Sequence, residues 1–133
     1  MIFDIAHEDR TTLSVDRAGA LELGYPEAAV DAAEAQARAT LISAECRRRI
    51  YSLASAETQM NMAAASAVIS AKTASSRTDQ EKAVLAGLEA AIGWVAAMRA
   101  NVATLAADPG LDFTADANWP AAPAEAVAVA DQF

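Results

Sequence analysis

The sequence is poor in the residues that carry chemistry, with one cysteine and one histidine among 133 residues. A single cysteine excludes an intramolecular disulfide, and one cysteine with one histidine cannot make a zinc site within the chain. Cys46 lies among apolar positions of a candidate helix, which favours a buried thiol. The five glycines are scattered, so there is no glycine-rich phosphate loop. The sequence therefore predicts no catalytic residue, no metal site and no cofactor.

Aromatic residues and positive charge are also scarce. The chain is 54% hydrophobic but only 5% aromatic, and much of the apolar fraction is alanine, a strong helix former that adds little volume to a core. We therefore expect helices packed around a thin core, which favours self-association or a protein partner. The net charge of −8 predicts no nucleic-acid partner, because phosphate contacts need concentrated Lys and Arg.

Long hydrophobic runs are missing as well. The most apolar window, residues 85–105, carries Glu89, Arg99 and Asn101, whereas a membrane helix needs about 20 predominantly apolar residues. The first residues lack the basic region and apolar run of a secretory signal. We therefore expect no membrane association and synthesis in the cytoplasm.

The first 24 residues have the character of β-structure. Residues 2–5 suit a short strand, and residues 12–16 and 20–23 alternate polar with apolar side chains, as half-buried strands do. The Asp and Gly of residues 16–19 suit a turn between them. We predict an N-terminal β-hairpin over residues 1–24 that attaches to helices or to another chain, since a lone hairpin is marginal in water. Its candidate partner contacts are Ile2, Phe3, Leu13 and Val15.

Residues 25–133 are predicted to form a helical module. Pro26 suits the first turn of a helix, and no Gly or Pro follows until after residue 74. One continuous helix over this span would measure about 70 Å, so we predict either a projecting helix or a break, preferably at residues 52–55. The apolar stripe of this segment is Ile42, Cys46, Ile50, Leu53, Met60, Ala64 and Ala67.

A second helix begins at a predicted capping box, Thr78 to Glu81, and ends at Asp108-Pro109-Gly110. Its predicted apolar stripe is Val84, Leu85, Leu88, Ile92, Val95, Met98, Val102 and Leu105. The short polar link before it makes the two helices antiparallel neighbours. The predicted fold is therefore mainly α: an antiparallel helical hairpin with a small N-terminal β-hairpin and an extended, proline-containing C-terminal tail that ends in a short helix.

Four further residues are candidate partner contacts, each with a second interpretation. Arg48 belongs to a basic run whose side chains point about 100° apart. It either lies on a solvent-exposed helix face, where its stem covers neighbouring apolar surface, or contacts an acidic partner. Gln59 and Asn61 are either surface amides beside core methionines or interhelical donors that set register in an oligomer. Trp119, held extended by the following proline, either closes the hairpin as the tail folds back or anchors a partner.

Four segments together resemble a known family: Ala44–Tyr51, Thr58–Met62, Gly93–Arg99 and Asp116–Pro120. They are similar to small tail-associated structural proteins, of the tail or tail fibre, encoded by phages and prophages of marine and related alphaproteobacteria. The resemblance covers residues 44–120, and members often join a variable N-terminal part to this helical module. It implies a virion component of the tail, tail fibre or baseplate that contacts other virion proteins, and it brings no catalytic motif.

Two main functions stay open at this point. The first is a non-enzymatic structural or adaptor protein that assembles in symmetric copies, is made in the host bacterial cytoplasm and resides in the virion. The second is a tail or tail-fibre assembly chaperone that is absent from the mature particle. A host-directed regulatory binder is a third possibility, and an enzyme is the least supported.

Overall fold

In a computed structural model that describes residues 1–133, the chain is mainly helical with a two-stranded antiparallel sheet at its N-terminus. The predicted fold class is confirmed, including the short C-terminal helix. Two single-turn 3₁₀ segments, Ala74–Ser76 and Asp116–Asn118, lie in the connections. The main elements are β1 (Phe3–His7), β2 (Arg10–Val15), α1 (Arg17–Glu22), α2 (Glu27–Leu53), α3 (Ala56–Ser70), α4 (Asp79–Ala107) and α5 (Ala124–Ala130).

The β-hairpin pairs different segments from those predicted. β1 pairs with β2 through a two-residue turn in which Glu8 has a φ of 54°, and residues 20–23 lie in and just after helix α1 instead of a strand. Asp16 caps this helix, and its Oδ1 accepts a hydrogen bond from the Gly19 amide at 2.8 Å. An Asp three residues before a Gly suits a helix start as well as a turn, and here the helix forms.

A β-bulge interrupts β2 between Thr12 and Val15. Phe3 pairs with Val15 and Ile5 with Thr12, so the register shifts between them. Ser14 takes a φ of 55°, and its amide donates to Asp4 Oδ1 at 2.8 Å. The bulge breaks the period-two pattern, which leaves Leu13 68% exposed while Val15 is half-buried.

The hairpin packs on the first turns of α2, one of the two attachments that the sequence left open. Helix α1 is held to α2 by Arg17, which contacts Asp31 at 2.6 Å, Glu34 at 2.7 Å and Glu27 at 3.0 Å. We call the buried side chains between these elements the N-terminal cluster: Phe3, Ile5, Ala20, Tyr25 and Val30. This cluster includes residues on both sides of Gly24.

The long helical segment breaks between α2 and α3, within the predicted range 52–55. Ala54 is extended with a φ of −143°, and the Ser55 hydroxyl accepts from the Thr58 amide at 3.1 Å as an N-cap. The break resets the phase of the helix. Met62 is therefore buried and Met60 is 71% exposed, so the predicted stripe through Met60, Ala64 and Ala67 is wrong.

Helix α4 is the central helix and packs against α2, α3 and α5. The predicted capping box is confirmed, since the Thr78 hydroxyl accepts from the Glu81 amide and Glu81 accepts from the Thr78 amide. Ile92 was predicted to be core but is 64% exposed, because no element covers that side of α4. The buried positions of α4 are Val84, Gly87, Trp94, Met98 and Leu105.

The C-terminal tail runs back along α4. The Asn101 side chain donates to the Asn118 carbonyl at 2.7 Å, and Trp94 Nε1 donates to the Pro120 carbonyl at 2.9 Å. Helix α5 then approaches α4 so closely that a Cβ at Gly87 would lie 2.7 Å from the Glu125 carbonyl oxygen. Two buried clusters result: a central cluster of Ile42, Cys46, Trp94, Met98, Leu105 and Trp119, and a distal cluster of Ala54, Met62, Ile69, Val84, Val129 and Ala130.

The first turns of α2 extend beyond the end of α4. Arg38 of α2 donates to the carbonyls of Leu105, Asp108 and Leu111 at 3.2, 3.2 and 2.7 Å. A cation at this place satisfies carbonyls that a helix end leaves without partners and opposes the negative end of the dipole. Residues 27–37 thus form an overhang of α2 that carries the N-terminal cluster.

Helix α4 is also long and apolar enough, by length and composition, to cross a membrane, with a mean hydropathy of 1.4 over 18 residues. The expectation that no stretch approaches this composition is therefore wrong. In this structure the helix packs against three other helices and carries Glu89 and Arg99 on its exposed side. That the chain has no membrane partner stays a prediction.

Candidate partner interface

The four candidate contacts on the hairpin divide into two kinds. Ile2 and Leu13 are 67% and 68% exposed and project from the surface. Phe3 is 4% exposed within the N-terminal cluster, and Val15 is half-buried against it. Phe3 and Val15 therefore belong to the chain's own core, which corrects their assignment as surface contacts, because an apolar side chain already buried here cannot contribute that area to a partner.

Arg48 is engaged within the chain. Its Nε and Nη2 both donate to the carboxylate of Glu45 at 2.7 Å, a two-pronged pairing that favours Arg. Arg49 lies against the same carboxylate and also donates to Asp116 at 2.7 Å. The hydrogen bond from Arg48 is the main cause that lowers the pKa of Glu45. Arg48 is thus a solvated, paired cation, and an acidic partner would have to compete with Glu45 for it.

Trp119 closes the core and is only 7% exposed. Its Nε1 donates to the Phe113 carbonyl at 2.7 Å, which satisfies the indole within the chain. The guanidinium of Arg49 lies 5.4 Å from the centre of its ring. The first interpretation of Trp119, closure of the hairpin by the tail, therefore fits this structure, and the assignment as an exposed anchor is corrected.

The two amides lie at the start of α3. Gln59 Nε2 donates to the Ala54 carbonyl at 2.8 Å, across the helix break. Asn61 is exposed and makes no hydrogen bond through its side chain. Neither amide bonds to α4, so within one chain they do not set the pairing of the helices. A role in register between copies stays a prediction.

An open apolar groove runs between α3 and α4. We call it the α3–α4 groove. Its volume is about 610 Å³, and 12 of its 15 lining residues are hydrophobic. A second hollow of about 440 Å³ adjoins it beside α2 and shares Ile50, Gln59, Val95 and Arg99 with it. Residues that line the groove include Met62, Ala63, Ala67, Leu88, Ile92 and Ala96.

Two arginines at this surface differ from every other cation of the chain. Arg47 and Arg99 make no hydrogen bond or ion pair, and Arg47 only lies over the Tyr51 ring at 5.1 Å. Both line the hollow beside the α3–α4 groove. The remaining eight Lys and Arg side chains are each held by a carboxylate or a backbone carbonyl: Arg10, Arg17, Arg38, Arg48, Arg49, Lys72, Arg77 and Lys82.

Cys46 also lines this hollow but is 4% exposed. Burial raises the pKa of its thiol, which keeps it protonated and unreactive at neutral pH. No three His, Cys, Asp or Glu side chains are close enough together to hold a metal ion. The surface can therefore bind through apolar contact and two positive charges, and it offers no activated nucleophile.

Sequence reasoning missed this surface, for which the sequence carries only a partial signal. Neither Arg47 nor Arg99 has an acidic residue three or four positions away, whereas Arg48 has Glu45. Ion pairs within a helix form at those spacings, so neither arginine can pair within its own helix, although the same is true of Arg17, which is paired with residues of another helix. The groove itself has no such signal, because its lining residues come from three helices.

The chain matches no protein-family model and no curated protein. The family resemblance of residues 44–120 and the geometry above are therefore the support on which a function is proposed.

Proposed function

We propose that this chain is a non-enzymatic structural or adaptor protein of a phage virion, and its resemblance to tail-associated proteins favours a place in the tail, tail fibre or baseplate. It acts through contacts with other virion proteins and with further copies of itself. It is made in the host bacterial cytoplasm and resides in the particle. The resemblance of four segments to phage tail-associated proteins is the starting point of this proposal.

One structural observation supports reading that resemblance as a single unit. The segments are scattered over residues 44–120, yet Cys46, Trp94 and Trp119, from three of them, meet in the central cluster. Gln59, from the fourth, lines the groove beside Arg99. Segments that a family shares are expected to pack against one another when they belong to one folding unit. The packing of these segments therefore supports treating them as one module.

The exposed surface supports a role in protein–protein contact. Five large apolar side chains are more than 60% exposed: Ile2, Leu13, Met60, Val68 and Ile92. Single exposed apolar residues are ordinary, but a groove lined mainly by apolar side chains is typical of an interaction site.

The arrangement of reactive groups supports a non-enzymatic role. Nucleophilic catalysis needs a base within hydrogen-bonding distance of the nucleophile. His7 lies on the hairpin, 3.9 Å from Glu8, while Cys46 lies in the central cluster with no histidine beside it.

The test is quantitative mass spectrometry of density-purified virions of the phage or prophage that encodes the chain, with its copy number counted against major tail and capsid proteins. A fixed stoichiometric ratio supports a structural component. Absence from particles, together with abundance in infected-cell lysate, overturns that role and indicates the tail or fibre assembly chaperone. Recovery of a host protein, with no particle association, indicates the regulatory binder.

A further inference from the structure

We propose that a second copy of this chain covers the α3–α4 groove, with the two α4 helices packed antiparallel about a twofold axis and Glu89 of each copy paired with Arg99 of the other. The inference deepens only the self-association part of the proposed function. It names the surface, the symmetry and the residue pair that decides both.

The residues concerned form one exposed face of α4. Glu89, Ile92, Ala96, Arg99 and Ala103 follow one another at alternating steps of three and four, which places them along a single side of a helix. All five are exposed, and Ile92 is 64% exposed. Ile92, Ala96 and Arg99 also line the groove. The face and the groove are therefore one continuous surface that nothing in the chain covers.

The charges on this face are complementary to themselves. Neither Glu89 nor Arg99 makes a hydrogen bond or ion pair within the chain. They lie ten positions apart, which is about 15 Å along a helix, so they cannot pair with each other in one copy. A twofold axis reverses the order of the face in the second copy, and each carboxylate then meets an arginine.

The same register also matches the apolar residues. Glu89 and Arg99 have their midpoint at position 94, and so do Ile92 and Ala96. The arrangement that pairs the charges therefore places Ile92 of each copy opposite Ala96 of the other. Ala63 and Ala67 of α3 line the groove beside them. Small side chains at these places allow helix axes to approach to about 8–10 Å, the usual packing distance.

Charge favours a second copy over the other possible occupants. A chain of net charge −8 repels another copy over most of its surface, so self-association needs a face that carries both signs in matching positions. This face does. An unrelated acidic helix would need only the cations Arg47 and Arg99 and would leave Glu89 facing negative charge. A lipid surface would have to accept both Glu89 and Arg99 within the contact, which is costly.

The experiment is sedimentation equilibrium of the full chain over a range of concentrations, with Glu89→Arg, Arg99→Glu and the double variant that carries both changes. The wild type is expected to be a dimer. Each single variant should raise the dissociation constant by about tenfold or more, because it places like charges opposite each other twice per dimer. The double variant exchanges the two charges, restores both pairs and should recover the wild-type constant.

A control variant, Glu22→Arg, makes the same charge change on α1, away from α4, and should leave the dissociation constant as in the wild type. Circular dichroism checks that every variant keeps its helices, which is expected because both residues are exposed. A wild type that stays monomeric, or single variants that dimerise unchanged, overturns the proposal. A double variant that remains monomeric overturns the register and with it the assigned pair.

Two further results identify other occupants and also overturn the inference. Flotation of monomeric chain with phosphatidylcholine vesicles would indicate a lipid surface. Loss of binding to a virion protein in Arg99→Glu but not in Glu89→Arg would indicate an acidic partner. The test is separate from that of the proposed function: a chain counted in virions but monomeric in solution overturns the dimer alone, and a dimer absent from virions overturns the virion role alone.

Discussion

The N-terminal cluster and the central cluster are built from contacts of very different range. Around the N-terminal cluster, the ion pairs of Arg17 join residues 10 to 17 positions apart. Around the central cluster, Arg38 and Arg49 reach partners 65 to 73 positions away. Closing a longer loop costs more chain entropy. The first cluster can therefore form from its own segment, while the second needs α2, α4 and the tail together.

The two clusters share only α2. Ala37 packs against the N-terminal cluster, and the next residue, Arg38, caps α4. Damage to one cluster should therefore reach the other through this helix alone. The substitutions below test that separation.

The largest effect is expected from Met98→Asp, at a side chain that is 1% exposed in the central cluster. A buried carboxylate without a partner is costly to ionise, and the lost methionine leaves a cavity, so we expect a loss of about 3 kcal/mol or more. Thermal unfolding followed by circular dichroism measures it. Met60→Asp, at a site that is 71% exposed, is the matched control and should change stability little. Equal losses at the two sites would contradict the assigned core.

Ile5→Ala tests the N-terminal cluster in the same way. Ile5 is 2% exposed, and removing a buried isoleucine side chain typically costs about 2–5 kcal/mol. Because the clusters are separate, hydrogen exchange should speed up in β1, β2 and α1 while amides of α4 keep their protection. Ile2→Ala, at a site that is 67% exposed, serves as the control. Faster exchange spread evenly through α4 would show that the chain unfolds as one unit.

A smaller effect is expected where α5 meets α4. Gly87→Ala would bring its Cβ to 2.7 Å from the Glu125 carbonyl oxygen, so α5 must shift, and we expect a loss of about 1–3 kcal/mol. Gly93→Ala, on the same helix with open space around the added methyl group, should instead gain up to about 1 kcal/mol from helix propensity. Chemical denaturation followed by tryptophan fluorescence compares the two. A gain in both variants would contradict the close contact.

The smallest effect is expected from the protonation of Glu45 at low pH. The pKa of Glu45 is lowered by Arg48, so this pairing stabilises the fold above the ordinary glutamate pKa, and that contribution is lost as pH falls through the lower folded value. Glu45→Gln should therefore lower the melting temperature slightly at pH 7 and have less effect near pH 3. Glu22→Gln, at an exposed carboxylate of α1, is the control. The same difference from wild type at both pH values would contradict the assigned pairing.

The sequence predicted helix boundaries better than helix faces. The capping box at Thr78 and the break at residues 52–55 are local features, and both are confirmed. The stripe through Met60 is wrong because it was extended across the break, where the helix changes phase. Ile92 was assigned to the core because periodicity identifies an apolar position but does not reveal whether another element covers it.

The hairpin shows the same limit at short range. Residues 2–5 and 12–16 were recognised as strands, but the segment 16–19 suited a turn and a helix start equally, and the contacts of Arg17 with α2 were not visible in the pattern. Among the candidate contacts, the exposure of Leu13 depends on the bulge in β2, and the burial of Trp119 depends on the tail that returns along α4. The bulge and the path of the tail do not follow from residue types alone.

The overhang of α2 also determines the direction in which the N-terminal hairpin projects. Residues 27–37 carry the hairpin on a single helix beyond the point where Arg38 meets α4. Each residue of a helix adds about 1.5 Å and turns the chain by about 100°. One residue inserted between the hairpin-bearing turns and Arg38 would therefore swing the hairpin to another side of the module with little change in distance. The length of this overhang therefore determines the orientation of the hairpin, and of any partner bound to it, relative to the rest of the chain.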